Sequence, residues 1–287
     1  KSILGLTFTN KAAAEMRKRI GTLIQAPQAS QVCLATFHSF CMQILRAEIH
    51  RLGYTQQFTL YDEKDVQRLI QLIARDLLDH NEGELPSLAT TTACITEAKN
   101  KGLSSSEIKN TGSDWHDEFT RNVYERLHAS LRAYNAVDFN NLLTLTIELF
   151  ERFPDILEKY QERYRYIMID EYQDTNPIQY RLATLLAGRY QNLCVVGDDD
   201  QSIYGWRGSE VRNILEFSGA QVIKLEQNYR STNTILKAAN SVISHNQTRY
   251  QKNLWSNKGE GGAIEIFHAP TDKDEAEAVV YRIAKLK

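Results

Sequence analysis

In the segment Tyr166-Ile167-Met168-Ile169-Asp170-Glu171, an apolar run ends on two adjacent carboxylates. That pattern reads as a buried strand delivering two acids at its C-terminal end, the end that faces the ligand crevice in a parallel α/β sheet. A P-loop nucleotide hydrolase needs a carboxylate to hold Mg²⁺ and a polar group to orient the attacking water. Asp170 and Glu171 have the types and spacing for these two roles. The plain alternative is a strand that ends in an acidic surface turn.

A second strand-like run, Leu193-Cys194-Val195-Val196, ends in Gly197-Asp198-Asp199-Asp200-Gln201. Gly197 permits a tight turn, and Gln201 is suited to sensing a γ-phosphate or positioning water. Successive side chains in a turn are expected to diverge, which argues against a second metal site at the three aspartates. Tyr204, Trp206 and Arg207 follow at once; they read either as a base-stacking surface coupled to nucleotide state or as core aromatics. Tyr229 and Arg230 stand at a composition shift. There, Arg230 reads either as an arginine finger or as an ordinary interfacial salt-bridge partner.

These residues need elements to position them. Short apolar runs at 3–8, 32–35, 166–169, 193–196 and 222–225 alternate with helical patterns, which predicts a parallel, doubly wound sheet. Asn10 is the expected cap of a helix running to about residue 24. Asn176-Pro177 supplies a cap with Pro at the first helical position, and Ser231 or Thr232 opens another helix. Residues 55–135 contain helical patterns at 62–80 and 115–134 around a polar segment, 82–114, with no evident strand, and read as a helical insertion. After Arg230 come a helix to about residue 245, a Gly-rich turn at 259–262 and an expected strand at 264–267.

The 287 residues carry 34 Lys plus Arg against 36 Asp plus Glu, a formal net charge of −2. This balance disfavours coating nucleic acid by bulk electrostatics, yet is compatible with a narrow groove that stacks a single strand. Cys33, Cys41, Cys94 and Cys194 lack metal-ligand or redox spacing, and are expected to be free, largely buried thiols of a reducing cytoplasm. The seven histidines form no metal motif.

Taken in order, the segments resemble superfamily 1A DNA helicases, the UvrD/Rep/PcrA family. Thr7-Phe8-Thr9-Asn10-Lys11-Ala12-Ala13 resembles motif Ia and Thr36-Phe37-His38-Ser39 motif Ib. Asp170-Glu171-Tyr172-Gln173-Asp174-Thr175-Asn176 resembles motif II. Gly197 through Tyr204 with Trp206-Arg207-Gly208 resembles motif III, and Gln227-Asn228-Tyr229-Arg230-Ser231 motif IV. The 222–227 run and the Asp-Asp-Asp-Gln run look most like the Rep branch.

The resemblance implies a RecA-like parallel sheet, domain 1A, at 1–54 and 136–228. It also implies a helical subdomain 1B at 55–135 and the start of a second RecA-like domain, 2A, at 229–287. It implies ATP and Mg²⁺ as cofactors, with Asp170 on the metal, Glu171 as base, Gln201 and Arg230 on the γ-phosphate and Tyr229 stacked on adenine. Phe8, Thr36, His38, Tyr204, Trp206 and Arg207 would line a single-strand track. The implied activity is 3′-to-5′ translocation and unwinding in replication restart or repair. The implied partners are single-stranded DNA, single-strand/duplex junctions and replication or repair proteins, for a monomer of the bacterial cytoplasm working at the nucleoid. No Gly-x-x-x-x-Gly-Lys-[Ser/Thr] phosphate loop occurs in the sequence. The family pattern therefore places that loop before Lys1, and motifs V and VI beyond Lys287. Asn140-Asn141 stands where relatives often carry acids. The alternatives are a non-catalytic nucleic-acid-binding or partner-docking module, or the helicase part of a helicase–nuclease.

Overall fold

In the computed structural model, which describes residues 2–78, 87–109 and 113–286, four apolar segments pair side by side. They are β1 (Ile3–Thr7), β2 (Cys33–Thr36), β5 (Tyr166–Ile169) and β6 (Leu193–Val195), all parallel in the order β2-β1-β5-β6. Parallel neighbours need crossovers, and helices supply them. Here these are α1 (Asn10–Leu23), the single turn α2 (Ala26–Ala29), α3 (Phe37–Glu48), and, after an insertion, α7 (Phe139–Arg152), α8 (Pro154–Arg163) and α9 (Pro177–Ala187); the short α10 (Arg212–Leu215) follows β6.

The period-two alternation of a strand decides what the sheet buries. Leu4, Leu6, Ile167 and Ile169 are buried in one core with Phe37, Phe40, Ile44, Leu142, Phe150 and Leu182 from the helices. Each such side chain contributes about 1.5–3 kcal/mol on leaving water. Tyr166 and Met168, on the alternate positions, are exposed, so β5 is buried on one face rather than throughout as expected. The helix starts follow local chemistry. Thr9, not Asn10, caps α1 by accepting from the Ala12 N–H at 3.0 Å, while Asn176 and Gln179 form a reciprocal capping box at α9, with Pro177 first in the helix.

The insertion differs from the sequence expectation in two ways. A strand is present: β3 (Thr59–Tyr61) pairs parallel with β4 (Ala136–Asp138), so the chain leaves and re-enters the sheet unit through one two-stranded stem. Three residues are too short a run for alternation to register. The polar segment, outside 79–86 and 110–112, which lie beyond the described residues, contains a helix, α5 (Leu88–Lys101). Its threonines masked it. Together with α4 (Glu63–Leu78) and α6 (Asp114–Ala133), α5 builds a second core around Ile70, Ile95, Val123 and Leu127.

A buried ion pair joins insertion to sheet unit. Lys99 of α5 donates to Asp138 Oδ2, and the two residues are 3% and 4% exposed. Asp138 Oδ1 also accepts from the Asn141 N–H at 2.8 Å and so caps α7. Burial, reinforced by the Lys99 ammonium, lowers the pKa of neighbouring His128 to about 4.

The chain forms two compact units, Lys1–Ser218 and Gly219–Lys287. The second holds α11 (Asn233–Ile243), which opens after Thr232 without a side-chain cap, and α12 (Asp272–Leu286), plus an isolated bridge between Gln227 and Trp255. The strands expected at 222–225 and 264–267 do not form. A strand needs a neighbour for its backbone hydrogen bonds, and none pairs with either run among the described residues. Their side chains stand exposed, Ile266 at 95%. Cys41 is buried, its thiol pushed up to about 12 by that burial, whereas Cys194 is exposed, against expectation.

Asp138→Ala is expected to destabilise the sheet unit by about 3–5 kcal/mol, because the Lys99 charge stays buried without its carboxylate. Asp138→Asn, which keeps the cap oxygen, should cost clearly less. Urea melts of the two variants check this ordering.

Candidate functional site

Asp170 follows β5 directly, and its N–H donates to Leu6 O of β1 at 3.0 Å, holding the acid at the C-terminal edge of the sheet. Glu171 takes a left-handed conformation with φ 53°, uncommon for a residue with a long side chain. That turn carries the chain across toward β6: the Tyr172 N–H donates to Val196 O at 2.9 Å.

The side chain that completes the site is Gln173, named in the sequence but given no role there. It is buried, its Nε2 donates to Glu171 Oε2 at 2.9 Å, and its Oε1 accepts from the Asp198 N–H at 3.0 Å. One amide thus joins the carboxylate after β5 to the loop after β6. The approach depends on Gly197, where an added Cβ would lie 2.5 Å from Gln173 Oε1 and 3.1 Å from Tyr172 N. The sequence contained both residues, but only the pairing of β5 with β6 reveals their contact.

Burial raises the pKa of Asp170, a backbone hydrogen bond from Glu171 holds part of that rise back, and the Glu171 charge adds to it; Asp174 is raised by burial and then by the Glu171 charge. A carboxylate whose folded value lies above its ordinary one loses stability as pH rises through that value. A bound cation offsets that loss. Asp170 stands at the C-terminal edge of the sheet, and its carboxylate is an oxygen donor of the kind that holds a divalent ion such as Mg²⁺. Gln201 is exposed, its Nε2 donating to Asp198 Oδ2 at 2.7 Å. The three aspartates do not diverge as expected: ligand oxygens of Asp198, Asp199 and Asp200 lie within 4.8 Å of one another. The tight 3₁₀ turn over Asp199–Gln201, with Asp198 Oδ1 accepting from the Asp200 N–H, curls them together.

The loop then enters a groove of about 1320 Å³ between the strand ends and the insertion. Phe8, His38, Tyr204, Trp206 and Arg207 all line it. Trp206 is 76% exposed, which rules out the core reading for that residue, and Tyr204 is exposed too. The Arg207 guanidinium lies 4.5 Å from the Trp206 ring centre and 5.3 Å from that of Tyr204. Phe8 packs on Phe37, and His38 on Phe139, with burial lowering the His38 pKa. Thr36 is buried, its hydroxyl capping α3 through the Ser39 N–H. Tyr229 and Arg230 belong to the second unit. There Asn228 Oδ1 accepts from the Arg230 and Ser231 N–H groups, forming a turn that leaves both side chains in solvent.

Fold and site define an α/β protein whose chemistry-bearing residues stand at the C-terminal ends of parallel strands, beside a groove walled by a helical insertion. Residues 1–221 match the UvrD/REP helicase N-terminal domain and residues 223–287 the UvrD-like helicase C-terminal domain. The chain belongs to the UvrD/REP helicase family. It is 43% identical over 289 aligned residues to the ATP-dependent DNA helicase PcrA of Staphylococcus aureus, and equally to that of Staphylococcus epidermidis. The alignments cover 99% of this chain and 39% of each relative's length.

Gly197→Ala is expected to displace Gln173 and cost about 1–3 kcal/mol, the usual effect of forcing atoms into a filled site. A thermal melt reads the cost. Glycine or alanine at 173 should reduce that penalty, because the side chain in the way is gone.

Proposed function

We propose that this chain is the strand-gripping and phosphate-sensing part of an ATP-dependent 3′-to-5′ single-stranded DNA translocase and helicase that works in replication restart or repair. The observation that carries the reading is continuity. Asp170 and Glu171 are tied through Gln173 to the Asp198–Gln201 turn, and that turn runs without a break into the exposed Trp206–Arg207 pair in the groove.

Bound Mg·ATP would supply the phosphoryl group whose transfer to water drives the cycle. Asp170 would hold the metal, and Glu171, oriented by the Gln173 amide, would act as base toward the attacking water. Gln201, now bonded to Asp198, would bind the γ-phosphate. Tyr229 would stack on adenine and Arg230 would bind the γ-phosphate. The turn that holds Gln201 also positions Trp206, so a change at the phosphate changes the grip on a stacked base. Phe8, His38, Tyr204 and Arg207 complete the track, and Thr36, buried outside the groove lining, serves it only by capping the helix that carries His38. Partners are single-stranded DNA and its junctions with duplex, met as a monomer in the bacterial cytoplasm. No helix among the described residues is long and apolar enough to cross a membrane.

Glu171→Gln, tested in a full-length protein carrying this segment and a phosphate loop, should slow DNA-stimulated ATP hydrolysis about a hundredfold or more, the scale of losing a positioned base. Nucleotide affinity should stay near normal. Asp170→Asn should weaken Mg²⁺-dependent nucleotide binding as well. Parental rates in both variants would return the acids to the role of a surface turn.

The groove's charges are Glu63, Glu97, Asp174 and Glu210 against Lys101 and Arg207, so stacking rather than phosphate attraction should dominate. Trp206→Ala should weaken oligo-dT binding by about 1–3 kcal/mol. Folding stability should change by less than about 0.5 kcal/mol, as for other exposed positions. Two cations predict a shallow log–log salt slope of about −1.4. Fluorescence anisotropy titrations and melts measure all three quantities, and an unchanged affinity in a folded Trp206→Ala chain would remove the stacking role.

A further inference from the structure

The Trp206 platform rests on a narrow footing. Its turn is closed by short-range bonds: Arg207 N–H to Tyr204 O at 2.8 Å, Gly208 N–H to Gly205 O at 2.9 Å, and Ser209 N–H to Tyr204 O at 3.4 Å. On the far side it is tied to the residues after Glu171, since the Glu210 N–H donates to Thr175 O at 2.9 Å and Asn213 Nδ2 reaches both Thr175 O and Oγ1 at 3.1 Å. On the near side the support comes from the insertion. Asn100 Nδ2 of α5 donates to Arg207 O at 3.4 Å, and a Cβ at Gly208, where φ is 87°, would meet Asn100 Cβ at 3.5 Å. The chain neighbour of Asn100 is Lys99, whose buried bond to Asp138 fixes the same helical turn to the start of α7.

We propose that Lys99 and Asn100 are positioning residues for DNA binding: Lys99 anchors α5 to the sheet unit, and Asn100 holds the Trp206–Arg207 turn at the angle that accepts a base. The proposal rests on the stacking role given to Trp206. Neither residue needs to touch the strand. The insertion is then part of the grip: α5 packs on α7 and α9, its Asn100 amide bears on the platform, and the Lys99–Asp138 pair fixes the same turn to the start of α7. The Asn100 bond is long and partly open to solvent, so its contribution to strand affinity is modest. The ion pair is enclosed, so removing it loosens the polar attachment of the end of α5, which still packs against Ile178 of α9.

The test uses the full 287-residue chain with Trp115 and Trp255 changed to phenylalanine, so that only Trp206 emits. Oligo-dT affinity, Trp206 fluorescence anisotropy and the melting temperature are measured together. Asn100→Ala should weaken oligo-dT about threefold to tenfold, the range of one net hydrogen bond. It should also lower the Trp206 anisotropy and leave the melting temperature nearly unchanged. Asn100→Gln, which keeps an amide donor, should recover part of the affinity. Lys99→Met alone strands a buried carboxylate, so the decisive variant is Lys99→Met with Asp138→Asn, which removes both charges and keeps an oxygen to cap α7. It should fold and show an equal or larger affinity loss. Wild-type affinity and anisotropy in folded Asn100→Ala and in the folded double variant would overturn the proposal. A lowered melting temperature with unchanged affinity in the folded fraction would also overturn it, leaving an ordinary structural contact. The reading beneath is checked apart from this, in the same background and with end-labelled oligo-dT, by Trp206→Ala: if that variant, still folded, binds oligo-dT as the parent does, the stacking role itself fails, whatever Asn100 does.

Discussion

The arrangement depends on how closely the ends of two adjacent parallel strands can approach. β5 delivers Asp170 and Glu171, β6 delivers the turn that holds Gln201, and the space between them is filled by the amide of Gln173. Gly197 makes that approach possible, because any side chain there would enter the volume the amide occupies. A buried amide with both ends bonded is costly to displace, since each freed partner loses its hydrogen bond where water does not easily replace it. The contact is therefore a stiff link, and it lies between the acidic end of one strand and a loop that continues to an exposed tryptophan.

A second link of a different kind holds the insertion. Lys99 and Asp138 are far apart in the sequence and buried together, and Asp138 serves at once as ion-pair partner and helix cap. Buried ion pairs add little net stability relative to well-packed apolar residues, but they penalise every arrangement in which the partners are separated. The pair therefore specifies how α5 lies against α7 more than it strengthens the fold. Since α5 forms one wall of the groove, that specification shapes the space beside Trp206.

Much of the fold was legible. The strands at 3–8, 32–35, 166–169 and 193–196 were marked by apolar runs, the cap at Asn176 by residue type, and the helix start at Thr232 as well, though Thr232 makes no cap bond. The misses share a cause, which is that short or polar elements carry little periodic signal. β3 is three residues long, and α5 hides its helical character behind three consecutive threonines, of which Thr92 turns its hydroxyl to Leu88 O. The runs at 222–225 and 264–267 were misread for the opposite reason. Their residues favour strands, yet a strand exists only where a neighbour pairs with it.

Residue order by itself determined which side chains have the chemistry: the acids after β5, the glutamine after β6, and the aromatics and arginine that follow. It also determined the family, because motif order is a property of the chain alone. Only the tertiary structure decided which of these residues meet. Gln173 and Gly197 are separated by two dozen residues, and Asn100 and Arg207 by more than a hundred. Exposure was likewise a tertiary outcome. Trp206 and Tyr172 are both aromatic residues beside the same motifs, but packing against Phe217 buries one and leaves the other facing the groove. Residue type records what a side chain is able to do, whereas contact and burial arise from the summed geometry of every element around it.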